Sequence, residues 1–527
     1  MWARIDTQID AQIEERLTMI PRLTNRWLRM NPTVRSHFDR FGGEGLAIFA
    51  LALIRLAICC YRAAHQSLSI DEAFSYHNYI GGPWSNIASQ YYANNHVLFS
   101  ILAKLSIRTF GTSEFSLRLP TLVAGFAFIL GAGWLLRLTI SSRPIRWVTL
   151  VALSLNPLIL DFSVAARGYG LAFALLIWAI YFSVRRQYIL CGSLLGLAIA
   201  TNLTMAFPAV SLALTAAILD KDRLSDRLRV LFELMIPAAI IAIAICYLPL
   251  RSALPSHFET GQPSIWQSLF SLIYPGVEPT VGGFLDQGPR VIAGMFLLGG
   301  IVVLVVIQGV KEFLRNDQDL RRLIPASVLL LSILIIVDFH HLFSMLYPTD
   351  RTGLYLDVLF ICALGIAADG ARHGGLRAFN VVTLLLLTAQ SAAQFHADHF
   401  LLWKFDMESK QIAQILMKAV DGKDTQSVTV SATAFNQPAL EFYRQYYNIR
   451  ALRPIVWKYP TLISDADFYV LSGADVRFAR TLQLRPIYSA PRAGIVLAAD
   501  PDTSLKTTLS AQQHDERLLR PNLGSER

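Results

Sequence analysis

This chain is poor in charge. Only 16% of its 527 residues are charged, against roughly a quarter in an ordinary soluble domain. The five cysteines (Cys59, Cys60, Cys191, Cys246 and Cys362) all fall inside apolar blocks, none at metal-ligand spacing. Neither disulfides nor a zinc site are expected from them. No G-x-x-x-x-G-K-[ST], H-E-x-x-H or G-x-S-x-G occurs, so nucleotide hydrolysis, zinc proteolysis and a nucleophile-elbow hydrolase lack their residues. There is no internal repeat and no low-complexity tract. No short apolar region leads to a small-residue cleavage site, so no removable signal peptide is expected.

Apolar and aromatic residues are abundant, at 54%. They arrive in blocks of roughly 17–25 residues, the length that crosses a hydrocarbon core. The chain reads as a polytopic α-helical membrane protein, not as a disordered, fibrous or disulfide-stapled one. The net charge is +9. Arg and Lys sit mostly in short loops between apolar blocks, where they fix orientation, so no nucleic-acid partner is expected.

The hydropathy pattern predicts about eleven spans, near 44–64, 116–138, 147–163, 169–184, 187–204, 205–220, 230–250, 291–310, 323–338, 353–370 and 378–395. Alternate loops separate by charge. One set carries Arg143 and Arg146, Arg185 and Arg186, Lys221 to Arg229, Lys311 to Arg322, and Arg372 with Arg377. That set and the arginine-rich N-terminus are cytoplasmic by the positive-inside rule, which leaves the C-terminus outside. The reading is therefore a multi-pass plasma-membrane protein. Residues 1–43 form a basic cytoplasmic segment, in which Ile5 to Met30 suits either a surface helix or a plain tail. Residues 44–395 form the transmembrane domain, with a long first outer loop at 65–115. Within that loop, Val97–Phe110 is apolar but holds Lys104 and Arg108, which suits an interfacial helix. Residues 396–500 alternate strand and helix signals and read as a separate small extracytoplasmic α/β domain. Residues 501–527 are polar and predicted disordered.

Four outer-face patterns carry candidate chemistry. Asp71–Glu72, in Ser69-Ile-Asp-Glu-Ala-Phe-Ser-Tyr-His77, lies just beyond the first span. Adjacent carboxylates on a helix point about 100° apart and can serve different tasks; equally, acids are favoured in a first helical turn. Asn94-Asn95-His96 closes the same loop. His96 suits phosphate binding when protonated, a metal, or a loop hydrogen bond. Asp161 and Arg167-Gly-Tyr169 flank the start of the fourth span; they either pair with each other or line a polar cavity. Asp350-Arg351 and Tyr355 open the tenth span, where Arg351 offers a planar fork suited to phosphate. Arg55, mid-span, is expected in a buried pair, and Asp357 needs a partner. His340–His341 and His396/Asp398/His399 lack a full metal-ligand set by spacing.

These patterns resemble the GT-C superfamily of membrane glycosyltransferases, in the branch with protein O-mannosyltransferases, the lipid A aminoarabinose transferase and rhizobial lipopolysaccharide transferases. The resemblance rests on Asp71–Glu72, on Asn95-His96-Val-Leu-Phe-Ser-Ile-Leu followed by Phe110-Gly-Thr-Ser-Glu-Phe-Ser-Leu-Arg118-Leu-Pro120, on Ala166-Arg-Gly-Tyr169, and on Arg351 with Tyr355. The chain departs from that branch at His96-Val97, where Pro-Pro or Lys-Pro is common, and at Asp357-Val-Leu, where a proline often follows.

The resemblance implies a sugar carried on a polyprenyl phosphate and moved, on the outer face of the membrane, to an envelope glycan, lipid or protein acceptor, as in lipopolysaccharide biosynthesis. Asp71 would be the base and Glu72 its catalytic neighbour. Asn95, His96, Asp161, Arg167, Tyr169, Arg351 and Tyr355 would hold donor phosphate and substrate. A lone base facing the anomeric carbon implies inversion. No cofactor or metal is demanded, because arginine can replace the cation, although a divalent cation has room in the scheme. The competing class is a lipid-linked sugar flippase or other transporter; a third is a membrane scaffold whose outer domain binds a partner.

Overall fold

The computed structural model describes residues 32–89, 91–220, 223–253, 261–269, 271, 320–371, 374–455 and 466–503. The expected span 291–310, the segment Ile5 to Met30, most of the second outer loop at 251–290 and the tail beyond residue 503 lie outside them. Met1–Ile54 forms one compact unit and Arg55–Arg527 another. The described part of the first unit is the leading portion of helix α1 (Pro32–His65).

Helices occupy the other ten expected span positions. After α1 come α2 (Ile70–Ser75), α3 (Trp84–Ser89) and α4 (Val97–Phe110) in the first outer loop, then α5 (Glu114–Thr139), α6 (Arg143–Leu155), α7 (Pro157–Asp161), α8 (Gly168–Val184), α9 (Tyr188–Thr201), α10 (Ala206–Asp220) and α11 (Leu224–Leu250). The series continues with α12 (Ile324–Phe343), α13 (Tyr355–Gly370) and α14 (Gly374–Ala393). Among the described residues five helices are long and apolar enough to cross a membrane: those at Gly42–His65, Glu114–Thr139, Leu224–Leu250, Leu320–Phe343 and Gly374–Ala393. The rest are shorter. The span expected at 147–163 is broken in two, because Pro157 has no N–H to continue the α6 ladder. Asn156 instead starts α7, accepting from the Ile159 N–H at 3.0 Å. Asn202 makes the turn between α9 and α10, its Oδ1 accepting from the Thr204 N–H at 3.1 Å.

Small residues set the closest packing. Gly192 and Gly196 stand in a G-x-x-x-G pattern on α9, whose face meets α11. A Cβ at Gly192 would sit 2.2 Å from the Leu234 carbonyl oxygen, and one at Gly196 2.7 Å from that of Ala238. Side-chain-free ridges are how helices approach when lipid supplies no hydrophobic drive between them.

The C-terminal part forms α15 (Ser409–Ala419), α16 (Gln437–Tyr446), α17 (Phe478–Thr481) and strands β1 (Val430–Ala432), β2 (Phe468–Ser472), β3 (Arg485–Ala490) and β4 (Ile495–Ala499). The sheet order is β1-β2-β4-β3, with β1 parallel to β2 and the other pairs antiparallel. Strand β3 was not expected from its sequence. Its Pro486 cannot donate to a ladder, and the structure puts it on an edge strand beside a register shift.

This part lies in the same compact unit as the helices from Arg55 onward. Ala413, Ala439, Phe442 and Tyr443 share one apolar cluster with Leu68, Ala73, Tyr79, Val97 and Phe99 of the first outer loop. The Tyr443 hydroxyl also accepts from the Leu68 N–H (2.8 Å) and donates to Glu114 (2.7 Å). Amphipathic α15 and α16 thus have their apolar faces covered by the loop as well as by the sheet.

Candidate active site

The site is built on the short helix that follows the first span. Ser69 and Glu72 form a capping box: the Ser69 hydroxyl takes the Glu72 N–H while Glu72 takes the Ser69 N–H at 2.9 Å. Two orphan donors are satisfied reciprocally, which fixes the helix start. Asp71 is then held one position earlier, pointing elsewhere.

The two acids have opposite surroundings. Glu72 is fully buried and saturated. Its Oε1 accepts from Arg118 Nε (2.8 Å) and from the Ala166 N–H (2.6 Å), and its Oε2 from Arg118 Nη2 (2.9 Å) and the Ser69 N–H. Arg118, equally buried, also donates to the carbonyls of Ala63, Gln66 and Ser67, each at 2.9 Å. Glu72, expected beside Asp71 in the catalytic machinery, therefore has no lone pair left for a substrate. It ties the loop to α5 and to the segment before α8, and is a positioning residue.

Asp71 is 8% exposed. Its Oδ2 lies 2.9 Å from Arg351 Nη2 and 4.0 Å from Arg167 Nη2. The nearer contact has ion-pair distance without hydrogen-bond alignment, so Oδ2 has no hydrogen-bond donor of its own. A carboxylate beside two guanidiniums with a free lone pair can take a proton from an incoming hydroxyl.

The guanidiniums are held from several sides. Arg167 donates to Ser75 Oγ (2.7 Å), Asn94 Oδ1 (2.8 Å) and the Asp71 carbonyl (3.3 Å). Arg351 is half-buried, with its guanidinium carbon 5.7 Å from the Trp403 ring centre, within cation–π range. Burial alone would weaken its charge. Asp71, Tyr169 and Asp350 outweigh that and hold its pKa above the usual arginine value. Tyr169, 3% exposed, connects this cluster to His96, its ring 4.8 Å from the imidazole.

His96 differs from one sequence expectation. Burial first, then the Arg167 charge, pull its pKa well below the ordinary value. Both effects favour the neutral ring over the protonated form expected of a phosphate binder. Its packing explains the glycine of Arg167-Gly-Tyr169: a Cβ on Gly168 would sit 2.8 Å from the His96 side chain and from the Thr201 carbonyl oxygen.

The remaining expected residues separate. Asp161 does not pair with Arg167. It pairs with Arg62 and accepts from the Leu401 N–H at 2.7 Å. Arg62 and Gln66 in turn both donate to the His399 carbonyl, at 3.1 and 2.7 Å. This network pins the strap after α14 against the end of α1. Asn95 holds the loop instead of Arg167: it donates to the Ile87 carbonyl and accepts from Ser100. Its neighbour Asn94 is the asparagine at the arginine. Tyr355 lies wholly buried one turn beyond Arg351, its hydroxyl unpartnered. Arg55, expected in an ion pair, is satisfied instead by the carbonyls of Ser154, Gly125 and Ile159 and by Ser163 Oγ.

Sequence reading missed Trp403 and Asp406, and it quoted Arg118 within the resemblance without giving it a role. Asp406 accepts from the Ile70 N–H at 2.6 Å, one residue before Asp71. Burial, with Asp71 and Glu72 adding to it, raises its pKa well above the usual carboxylate range. Nothing local in the sequence marks these residues, since each acts across a long stretch of chain. Among the described residues no three His, Cys, Asp or Glu side chains converge as a metal site; His396 and His399 stack on each other at 4.0 Å.

Three solved structures resemble this chain at low identity. ArnT from Cupriavidus metallidurans bound to undecaprenyl phosphate is 14% identical, with 89% of this chain and 99% of that one covered and a TM-score of 0.37. Its apo state gives 13%, 88%, 98% and 0.37. Arabinosyltransferase EmbB from Mycobacterium smegmatis gives 12%, 72% of this chain, 44% of that one, and 0.31. No family model matches the sequence, and no curated protein does. At such TM-scores the functional reading rests on the residues themselves.

Proposed function

We propose that the chain is an inverting glycosyltransferase that moves a sugar from a polyprenyl-phosphate donor to an acceptor hydroxyl at the outer face of the membrane. The observation that carries this reading is Asp71: a buried carboxylate just beyond the first span, flanked by two arginines yet with an oxygen free to accept a proton.

In this mechanism the acceptor hydroxyl attacks the anomeric carbon and its proton passes to Asp71. The bond from that carbon to the phosphate oxygen breaks, and polyprenyl phosphate leaves with the electron pair. The leaving group is already stable as an anion, so no general acid is needed. It needs positive charge at the departing oxygen, which Arg351 and Arg167 supply. The donor phosphate competes with Asp71 for Arg351, so donor arrival leaves the carboxylate facing the acceptor. A positioned base of this kind contributes roughly 10²–10⁴-fold. Tyr169 and Trp403 hold Arg351 in place, while Glu72 and Asp161 hold the loop and the strap. The acceptor is an envelope glycan, lipid or protein.

The test is transfer in membrane vesicles by Asp71→Asn. The variant should express and fold as wild type and lose sugar transfer by at least about a hundredfold. Normal transfer would remove Asp71 as the base. A cysteine at position 71 labelled only from the cytosolic side would remove the outer-face placement.

A further inference from the structure

A small cavity beside His96 has a lining that includes Tyr91, His96, Thr201, Asn202 and Cys246. Its space is about 20 Å³, and a single water-sized group needs roughly 10–15 Å³. Two buried polar atoms of its lining residues have no partner: His96 Nε2 and Asn202 Nδ2. His96 and Asn202 are 5% and 8% exposed.

Their hydrogen-bonding roles are fixed by their other ends. His96 Nδ1 lies 3.0 Å from the Thr201 carbonyl oxygen. A carbonyl only accepts, so the ring proton is on Nδ1 and Nε2 carries a bare lone pair. Asn202 Oδ1 accepts from the Thr204 N–H and hydroxyl, both at 3.1 Å. The amide is therefore oriented with its NH2 as the unused donor. One acceptor and one donor, both dehydrated and both on residues lining a space the size of one oxygen, are complementary to a hydroxyl. A hydroxyl can donate to the imidazole and accept from the amide. A phosphate oxygen cannot donate, and an apolar group would leave both atoms unsatisfied.

We infer that His96 and Asn202 form a hydroxyl-recognition subsite that reads one hydroxyl of the transferred sugar. The inference rests on the proposed glycosyl transfer and adds what it lacks, a determinant for the sugar. The subsite is linked to the reacting centre through the His96–Tyr169 contact and through Tyr169 to Arg351. The other source of the same chemistry is an ordered water.

Binding to the full chain in detergent separates these cases, with citronellyl phosphate and citronellyl-phosphoryl mannose, glucose, galactose and arabinose as probes. Wild type should bind at least one sugar-bearing probe more tightly than citronellyl phosphate. Asn202→Asp keeps the oxygen that caps Thr204 and replaces the NH2 donor by a carboxylate oxygen that can only accept. It should weaken the best sugar probe at least about tenfold and leave citronellyl phosphate within about twofold. His96→Ala, read the same way, serves if Asn202→Asp does not fold. Equal losses on both kinds of probe would overturn the subsite in favour of a general structural role. No loss on either would mean that the cavity holds water only. Wild type binding citronellyl phosphate but no sugar probe more tightly would sink the subsite and spare the donor reading. Binding of neither would sink both.

Discussion

Adjacent acids with opposite roles should give opposite phenotypes, and Glu72→Gln is the sharper case. Both Glu72 and Arg118 have side chains 0% exposed, and Glu72 receives two bonds from Arg118 and two from backbone N–H groups. Gln preserves the shape but presents an NH2 where the carboxylate accepts, so at least one donor-to-donor clash replaces a charge-assisted bond. Arg118 then remains buried, facing three carbonyls and without the carboxylate it pairs with. Breaking a buried pair by removing one partner costs about 3–5 kcal/mol, against a total stability of roughly 5–15 kcal/mol. Glu72→Gln should therefore lower the melting temperature in detergent by several degrees and reduce the monodisperse fraction on gel filtration. Asp71→Asn, one residue away, should leave both near wild type. The reasoning is refuted if Glu72→Gln melts with wild type, or if Asp71→Asn is the less stable of the two.

Arg351→Ala should weaken use of the donor more than use of the acceptor in transfer kinetics; equal losses would count against a phosphate role. The folded-state pKa of Asp406 is raised, so the stability tied to its protonated form is complete below the ordinary carboxylate value of 3.8 and lost as pH rises through the folded value. The melting temperature of Asp406→Asn minus that of wild type should accordingly grow from pH 4 to pH 8, and a flat difference would contradict the burial account. Gly168→Ala forces the His96 side chain or the Thr201 carbonyl to move, at a cost of about 1–3 kcal/mol, measurable as a lower melting temperature. Asp357→Asn should leave transfer intact, whereas a carrier with a midplane charge would be disabled by it.

Local pattern was enough for the helices. Apolar blocks of membrane length, the charged edges of Val97–Phe110, and the Asn-Pro and Asn-cap signals are all properties of a few consecutive residues. So are the Ser69/Glu72 capping spacing and the place of Asp71 beyond the first span. Which charge meets which is not local. Arg62 finds Asp161 across 99 residues, Arg118 finds Glu72 across 46, and Asp161 reaches the Leu401 backbone across 240. Sequence alone could therefore offer Asp161 to Arg167 as easily as to Arg62, and could not tell Asn94 from Asn95. Only the folded chain divided Asp71 from Glu72, by filling every lone pair of one carboxylate and leaving the other an open oxygen. Burial makes that division sharp: an unsatisfied charge in the dry interior is costly enough that each partner is fixed by three-dimensional proximity, which no periodicity encodes.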